Sequence, residues 1–175
     1  LGRLAENLTD LAVMVRPPLA VESDTVAVPF APHPYVIVAP PSHPLAGRSG
    51  IPVARVAKEP LIVREKGSDT WSAMRDAFGD ALHSLNISME IKSTETIKQA
   101  VIAGMGISFL SAHTISRERE TGKLVVLDVQ GFPLMLDWCV VHRRSKRLPP
   151  VARAFLRFLQ EEGAAQIEHA LSPVA

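Results

Sequence analysis

The chain has 175 residues, 47% of them hydrophobic, enough to bury a substantial core in one or two domains. Nineteen Lys and Arg against eighteen Asp and Glu leave a formal charge of +1, a balance that asks for neither nucleic acid nor an acidic membrane surface. The single cysteine, Cys139, cannot close an intramolecular disulfide, which fits a reducing cytoplasm. No apolar run approaches the roughly 20 residues of a membrane span. The opening LGRLAENLTD is amphipathic rather than a secretory leader, and it starts at Leu1 instead of Met, so an upstream segment is expected.

In chain order, Leu1, Leu4, Ala5 and Leu8 form one helical stripe ended by Asp10. LAVMV at 11–15 reads as a short strand buried on both faces, as in a parallel sheet, and RPP stops it. DTVAVPF and PYVIVAP read as two strands with a proline-bounded turn between them. PPSHPLAGRSG is a loop, and IPVARVAKEP a short helix entered through Pro52. LIV at 61–63 is the next buried strand, followed by the loop REKGSDT. Trp71, Met74, Phe78, Leu82 and Leu85 trace a helix from about Asp69, and ISMEI alternates as a strand. Ile97, Ala100, Val101 and Gly104 predict a packed helical face, with Gly106 turning the chain into the strand ISFL. AHTISRERETG is a polar helix closed by Gly122, and KLVVLDV and LMLDWCVVH are strands. PPVARAFLRFLQEEG is a helix with Val151, Phe155, Phe158 and Leu159 on one face, ended at Gly163. Strands alternating with helices predict an α/β fold with mostly parallel sheet.

The chemistry concentrates at two helix starts. In REKGSDT, Gly67 turns the backbone and Ser68 caps the next helix. Thr70 adds a hydroxyl, and Arg64 adds a fork that grips a carboxylate or phosphate in two places. A plain N-cap beside a surface arginine explains the same residues, and local sequence alone favours it. STETIK, with Ser93, Thr94 and Glu95, is a second such start, and the same two readings apply. Both follow strands, and ligands of open α/β sheets sit beyond the strands' carboxyl ends. Arg16, directly after a strand, is either a third contributor or a solvated arginine before a proline stop.

Other chemistries lack a frame. The six histidines show no metal-ligand spacing, and Cys139 sits in an apolar strand as a small hydrophobe. There is no G-x-S-x-G nucleophile elbow. The glycines of GMG at 104–106 follow a helix and precede a strand, the reverse of a dinucleotide fingerprint. HRRSKR at 142–147 reads as a solvated turn rather than a DNA contact. No catalytic residue, metal or cofactor is assigned, and the chain is not expected to be an enzyme.

The segments DLAVMVRPP, HPYVIVAPPSHPLAGR, EPLIVREKGSDTWSAM, IKQAVIAGMGISFLSAHTI, KLVVLDVQGFPL and VVHRRSKRLPPVARAFLRFL closely resemble the effector-binding domain of LysR-type transcriptional regulators. REKGS, IKQAV and GISFLSAHT point to the CbbR-type branch, which controls carbon dioxide fixation operons. The resemblance implies a fold like a type 2 periplasmic binding protein, two α/β lobes joined by two crossing strands. Residues 1–63 with 138–175 would form lobe I, lacking its first strand and helix, and 64–137 lobe II. A winged helix-turn-helix that reads DNA is expected upstream. The implied effector is a small anionic metabolite, phosphorylated or nucleotide-like, held in the cleft between the lobes by Arg64, Ser68, Thr70, Thr94, Glu95, Arg16 and Pro17. Homodimers through this domain, tetramers at full length and a cytoplasmic location are also implied, with no membrane partner. A solute-binding protein of a transport system with the same fold is the alternative.

Overall fold

A computed structural model describes residues 2–15 and 24–171. By compactness the chain divides into two units, Pro34–Met135 and Leu1–His33 with Leu136–Ala175. The backbone passes between them inside two strands, β2 (Thr25–Ala39) and β7 (Leu134–Arg143). The lobe boundaries implied by the resemblance are drawn elsewhere, with residues 34–63 in lobe I.

In the unit Pro34–Met135, the second part of β2 pairs antiparallel with β5 (Ile107–Ser111), Tyr35 opposite Ser111 and Val38 opposite Ser108. Strand β3 (Leu61–Arg64) runs parallel to β5 and to β4 (Ile87–Ile91). LIV and ISFL are buried on both sheet faces, and the one polar side chain among them, Ser108, donates its hydroxyl to Ile62 O at 2.7 Å. Helix α4 (Thr94–Ile102) brings Ile97 and Val101 to one face, against Val36, Val38, Ile62 and Leu110. Phe109, one residue from Leu110, points the other way. There it stacks on Tyr35 at 4.9 Å and meets Phe78 of α3 (Asp69–Phe78). The short α2 (Val53–Val56) starts behind Pro52, and α5 (Ser116–Glu120) and β6 (Val125–Val126) complete the unit, β6 pairing with β2.

In the other unit, α1 (Gly2–Ala5) sets Leu4 against Cys139 and Val141. Strand β1 (Ala12–Val15) pairs with β7, and α6 (Pro150–Leu171) follows. Burial raises the pKa of the Cys139 thiol, as suits a small core hydrophobe rather than a reactive thiolate.

Several local expectations fail for physical reasons. The first helix is a single turn, because Asn7 takes a left-handed φ of 59° and leaves Leu8 exposed. Strand β1 pairs antiparallel with β7 instead of lying in a parallel sheet, and Val13 is exposed. The two proline-punctuated strands are one strand of 15 residues. Proline's fixed φ suits extended chain, and the cost is only the missing donor. The polar helix breaks into a 3-10 turn (Ala112–Ile115) and α5. Only Val125–Val126 of KLVVLDV is strand.

Gly104 is not on a packed face. It follows α4 with φ 78°, exposed, as the left-handed residue of the helix stop. The Met105 amide donates to Ala100 O and the Gly104 amide to Val101 O, closing the last turn. Gly163 does not end α6 either. It is buried inside the helix, where a Cβ would lie 2.7 Å from Phe30 Cδ2. The inward stripe of α6 is Ala152, Leu156, Leu159 and Gly163, whereas Val151, Phe155 and Phe158 are exposed.

Candidate anion site at the ends of two parallel strands

The parallel pairing of β3 and β4 puts their carboxyl ends on one edge, with Arg64 opposite Ile91. The chain leaves each strand into a serine-capped helix, so the starts of α3 and α4 are neighbours. Ser68 Oγ accepts from the Trp71 amide at 3.1 Å and donates to Glu65 O at 2.9 Å. Ser93 Oγ accepts from the Thr96 amide at 3.3 Å. Both serines therefore serve as caps, and both first turns already carry an acid, Asp69 and Glu95.

Arg64 is more than a surface arginine. Its Nη1 donates to Thr94 Oγ1 at 3.0 Å, tying the end of β3 to the first residue of α4. Its Nε and Nη2 both reach the Glu65 carboxylate, at 2.8 and 3.1 Å. The Arg64 side chain is 22% exposed and that of Glu65 28%, so the pair is partly shielded but open to a solute. The hydrogen bond from Arg64 holds the Glu65 carboxyl below the ordinary value of 4.5, with further attraction from Lys92. Glu90 accepts from the Lys66 amide at 3.3 Å and completes the edge.

The structure thus brings Arg64 and Thr94 together, while Ser68 is engaged as the cap of α3 and Thr70 is half-buried in its first turn. Glu95 turns along its own helix, accepting from Lys98 Nζ at 2.7 Å and Gln99 Nε2 at 3.1 Å. Arg16 and Pro17 lie outside the described residues. Sequence reading missed Glu65. Adjacent side chains in a strand point to opposite faces, so an Arg-Glu dipeptide does not announce a pair. The pair forms because β3 ends at Arg64 and the chain turns.

Two cations of the basic run at the end of β7 are engaged internally. Arg143 Nη2 lies 3.1 Å from Asp24, Lys146 Nζ 2.8 Å from Asp10, and the Ser145 amide donates to Asp24 at 2.9 Å. Among the described residues no helix is long and apolar enough to cross a membrane.

The two-unit α/β fold, whose parallel strands carry Arg64 at their carboxyl edge, is that of a substrate- or effector-binding regulatory domain. The chain belongs to the LysR substrate binding domain family, whose model matches residues 1–164. It is 45% identical over 161 residues to a RuBisCO operon transcriptional regulator of Allochromatium vinosum, covering 92% of this chain and 53% of that protein. It is also 45% identical over 158 residues to the HTH-type transcriptional regulator CbbR of Xanthobacter flavus, covering 89% and 47%. The chain thus spans about half the length of the curated relatives it matches. Among solved structures, the regulatory domain of CcmR from Synechocystis PCC6803, in complex with 2-PG, superposes with a TM-score of 0.82 at 38% identity. That match covers 91% of this chain and 76% of the other. The effector binding domain of QuiR, at 18% identity and a TM-score of 0.77 over 93% of this chain and 75% of that one, shares the fold. The fold is that of the LysR regulatory domains, like a type 2 periplasmic binding protein.

Proposed function

We propose that the chain is the effector-sensing part of a regulator of carbon dioxide fixation genes, and that its effector is a small anionic metabolite, phosphorylated or nucleotide-like. The observation that carries this reading is the Arg64 guanidinium. It is held by Thr94 at the edge where two helix starts meet, and it is partly open to solvent. Relatives that are RuBisCO operon regulators, and a similar domain in complex with 2-PG, support the same reading. On this reading Arg64, Ser68, Thr70 and Thr94 meet the anion, with Arg16, Pro17 and Glu95 as further contributors. The lobes would be 1–63 with 138–175, and 64–137. Effector binding favours one arrangement of the lobes and passes that preference to a DNA-binding domain upstream. The domain would dimerise, act in the cytoplasm and catalyse nothing.

The test is a titration with 2-PG followed by thermal unfolding. Saturation at about 100 times Kd raises stability by about 2.7 kcal/mol. Arg64→Ala removes the rise. No shift at millimolar 2-PG, or an equal shift in Arg64→Ala, overturns the reading.

A further inference from the structure

We propose that Glu65 is a built-in competitor for the anion at Arg64, so that effector binding requires the Glu65 carboxylate to leave the guanidinium fork. The inference rests on the reading of Arg64 as the anion-binding group and names a control element within that site.

The geometry is that of a ligand already in place. Planar recognition of a carboxylate by arginine uses two parallel N–H groups. Nε and Nη2 form such a fork, and Glu65 Oε2 and Oε1 occupy it at 2.8 and 3.1 Å. The third contact, Nη1 to Thr94, comes from the other side and holds the guanidinium whether or not the fork is filled. An incoming anion therefore meets an arginine that is correctly placed but neutralised.

Glu65 is also free to leave. Its backbone is fixed independently, because the Ser68 amide and hydroxyl both donate to Glu65 O, at 3.1 and 2.9 Å. Rotation of the side chain disturbs neither that turn nor the cap of α3. Lys92, on the turn after β4, adds a smaller attraction on the same carboxylate. Exchange of one carboxylate for another anion keeps the charge of the arginine compensated in both states, which an empty fork in a partly buried place would not. The device raises the concentration at which the effector is sensed and rejects anions too weak to displace Glu65.

The experiment is calorimetric titration of this chain with 2-PG at fixed salt, for the wild type, Glu65→Gln, Glu65→Ala, Arg64→Ala and the double variant Arg64→Ala/Glu65→Gln. Unfolding midpoints are recorded for each. Both Glu65 variants are expected to bind on the order of fivefold tighter than the wild type, the size of a partly exposed ion pair. Arg64→Ala and the double variant bind none. If the wild type binds through Arg64 and the Glu65 variants bind equally or more weakly, the competitor role is overturned and the reading of Arg64 stands. If the single and double Arg64 variants bind as the wild type does, or no protein binds, both are overturned.

Discussion

Lys98 shows what one residue does for the larger unit. It is nearly buried on the inner side of α4, with Nζ 2.8 Å from Glu118 Oε1 and 2.7 Å from Glu95 Oε2. The Glu118 pair joins α4 to α5 across 20 residues of sequence. Burial works against the Lys98 charge, but the hydrogen bonds to Glu118 and Glu95 outweigh it and raise the pKa. Glu118 Oε2 is buried with no hydrogen bond, so the lysine is the main compensation for that carboxylate. Lys98→Met should therefore cost about 3 kcal/mol, because it leaves a buried charge unpaired. Urea unfolding of the variant beside the wild type checks this, and a loss within experimental error would contradict it.

The same residues set a pH profile. Asp24 is held below its ordinary 3.8 chiefly by the Ser145 hydroxyl, Glu65 below 4.5 by Arg64, and Glu95 below 4.5 by Lys98. Depressed carboxyl groups add stability that is complete above the unfolded values and fades as pH falls through the folded ones. Lys98 has the opposite sign. Its contribution is complete below the ordinary 10.5 and is lost as pH rises through its higher folded value. Unfolding midpoints measured against pH should be level between those limits and fall beyond both. A midpoint that does not fall below pH 4.5 would show that these pairs persist in the unfolded chain.

At the scale of elements, the helix-to-strand passage from α4 to β5 separates two glycines that look alike in sequence. Gly104 is needed for its left-handed backbone, and nothing crowds its missing Cβ. Gly106 is needed for closeness. A Cβ there would lie 2.4 Å from Pro60 O, which accepts from the Ile107 amide at 2.9 Å as β5 joins β3. Gly104→Ala should cost about 1 kcal/mol from backbone strain. Gly106→Ala should cost about 2–3 kcal/mol, because backbone must move. Thermal unfolding of the two variants, compared directly, checks the order. Helix α6 teaches a related lesson. It carries two apolar stripes, and of the face that periodicity predicts only Leu159 turns inward, while Val151, Phe155 and Phe158 are exposed. The bulky Phe155 and Phe158 dominate the sequence pattern, whereas Gly163 is the residue that lets the helix approach Phe30. Phe155→Ser should change stability by no more than about 0.5 kcal/mol, as for an exposed site.

For the whole molecule, charge is informative. With a formal net charge of +1, and with Arg143 and Lys146 of the basic run paired to Asp24 and Asp10, the chain has little to offer a phosphate backbone. It should leave duplex DNA unretarded in a gel-shift assay at about 0.15 M salt, where screening extends only about 8 Å. Retardation there would assign DNA contact to this domain.

The alternation of strand and helix, the helix starts at Ser68 and Ser93 and the family were all legible in the sequence. Each rests on short-range signals: hydrophobic period, capping residues and motifs in order. The partnerships were not. Arg64 and Thr94 each stand out in the sequence, yet their hydrogen bond spans 30 residues and exists because β3 and β4 run parallel. Glu65 became part of the site only where the strand ended, and β2 stayed one strand through three prolines because its extended backbone tolerates them. Periodicity records that a face is apolar or a group charged. What that face or group meets is decided by elements distant in sequence, and those meet only in the folded chain.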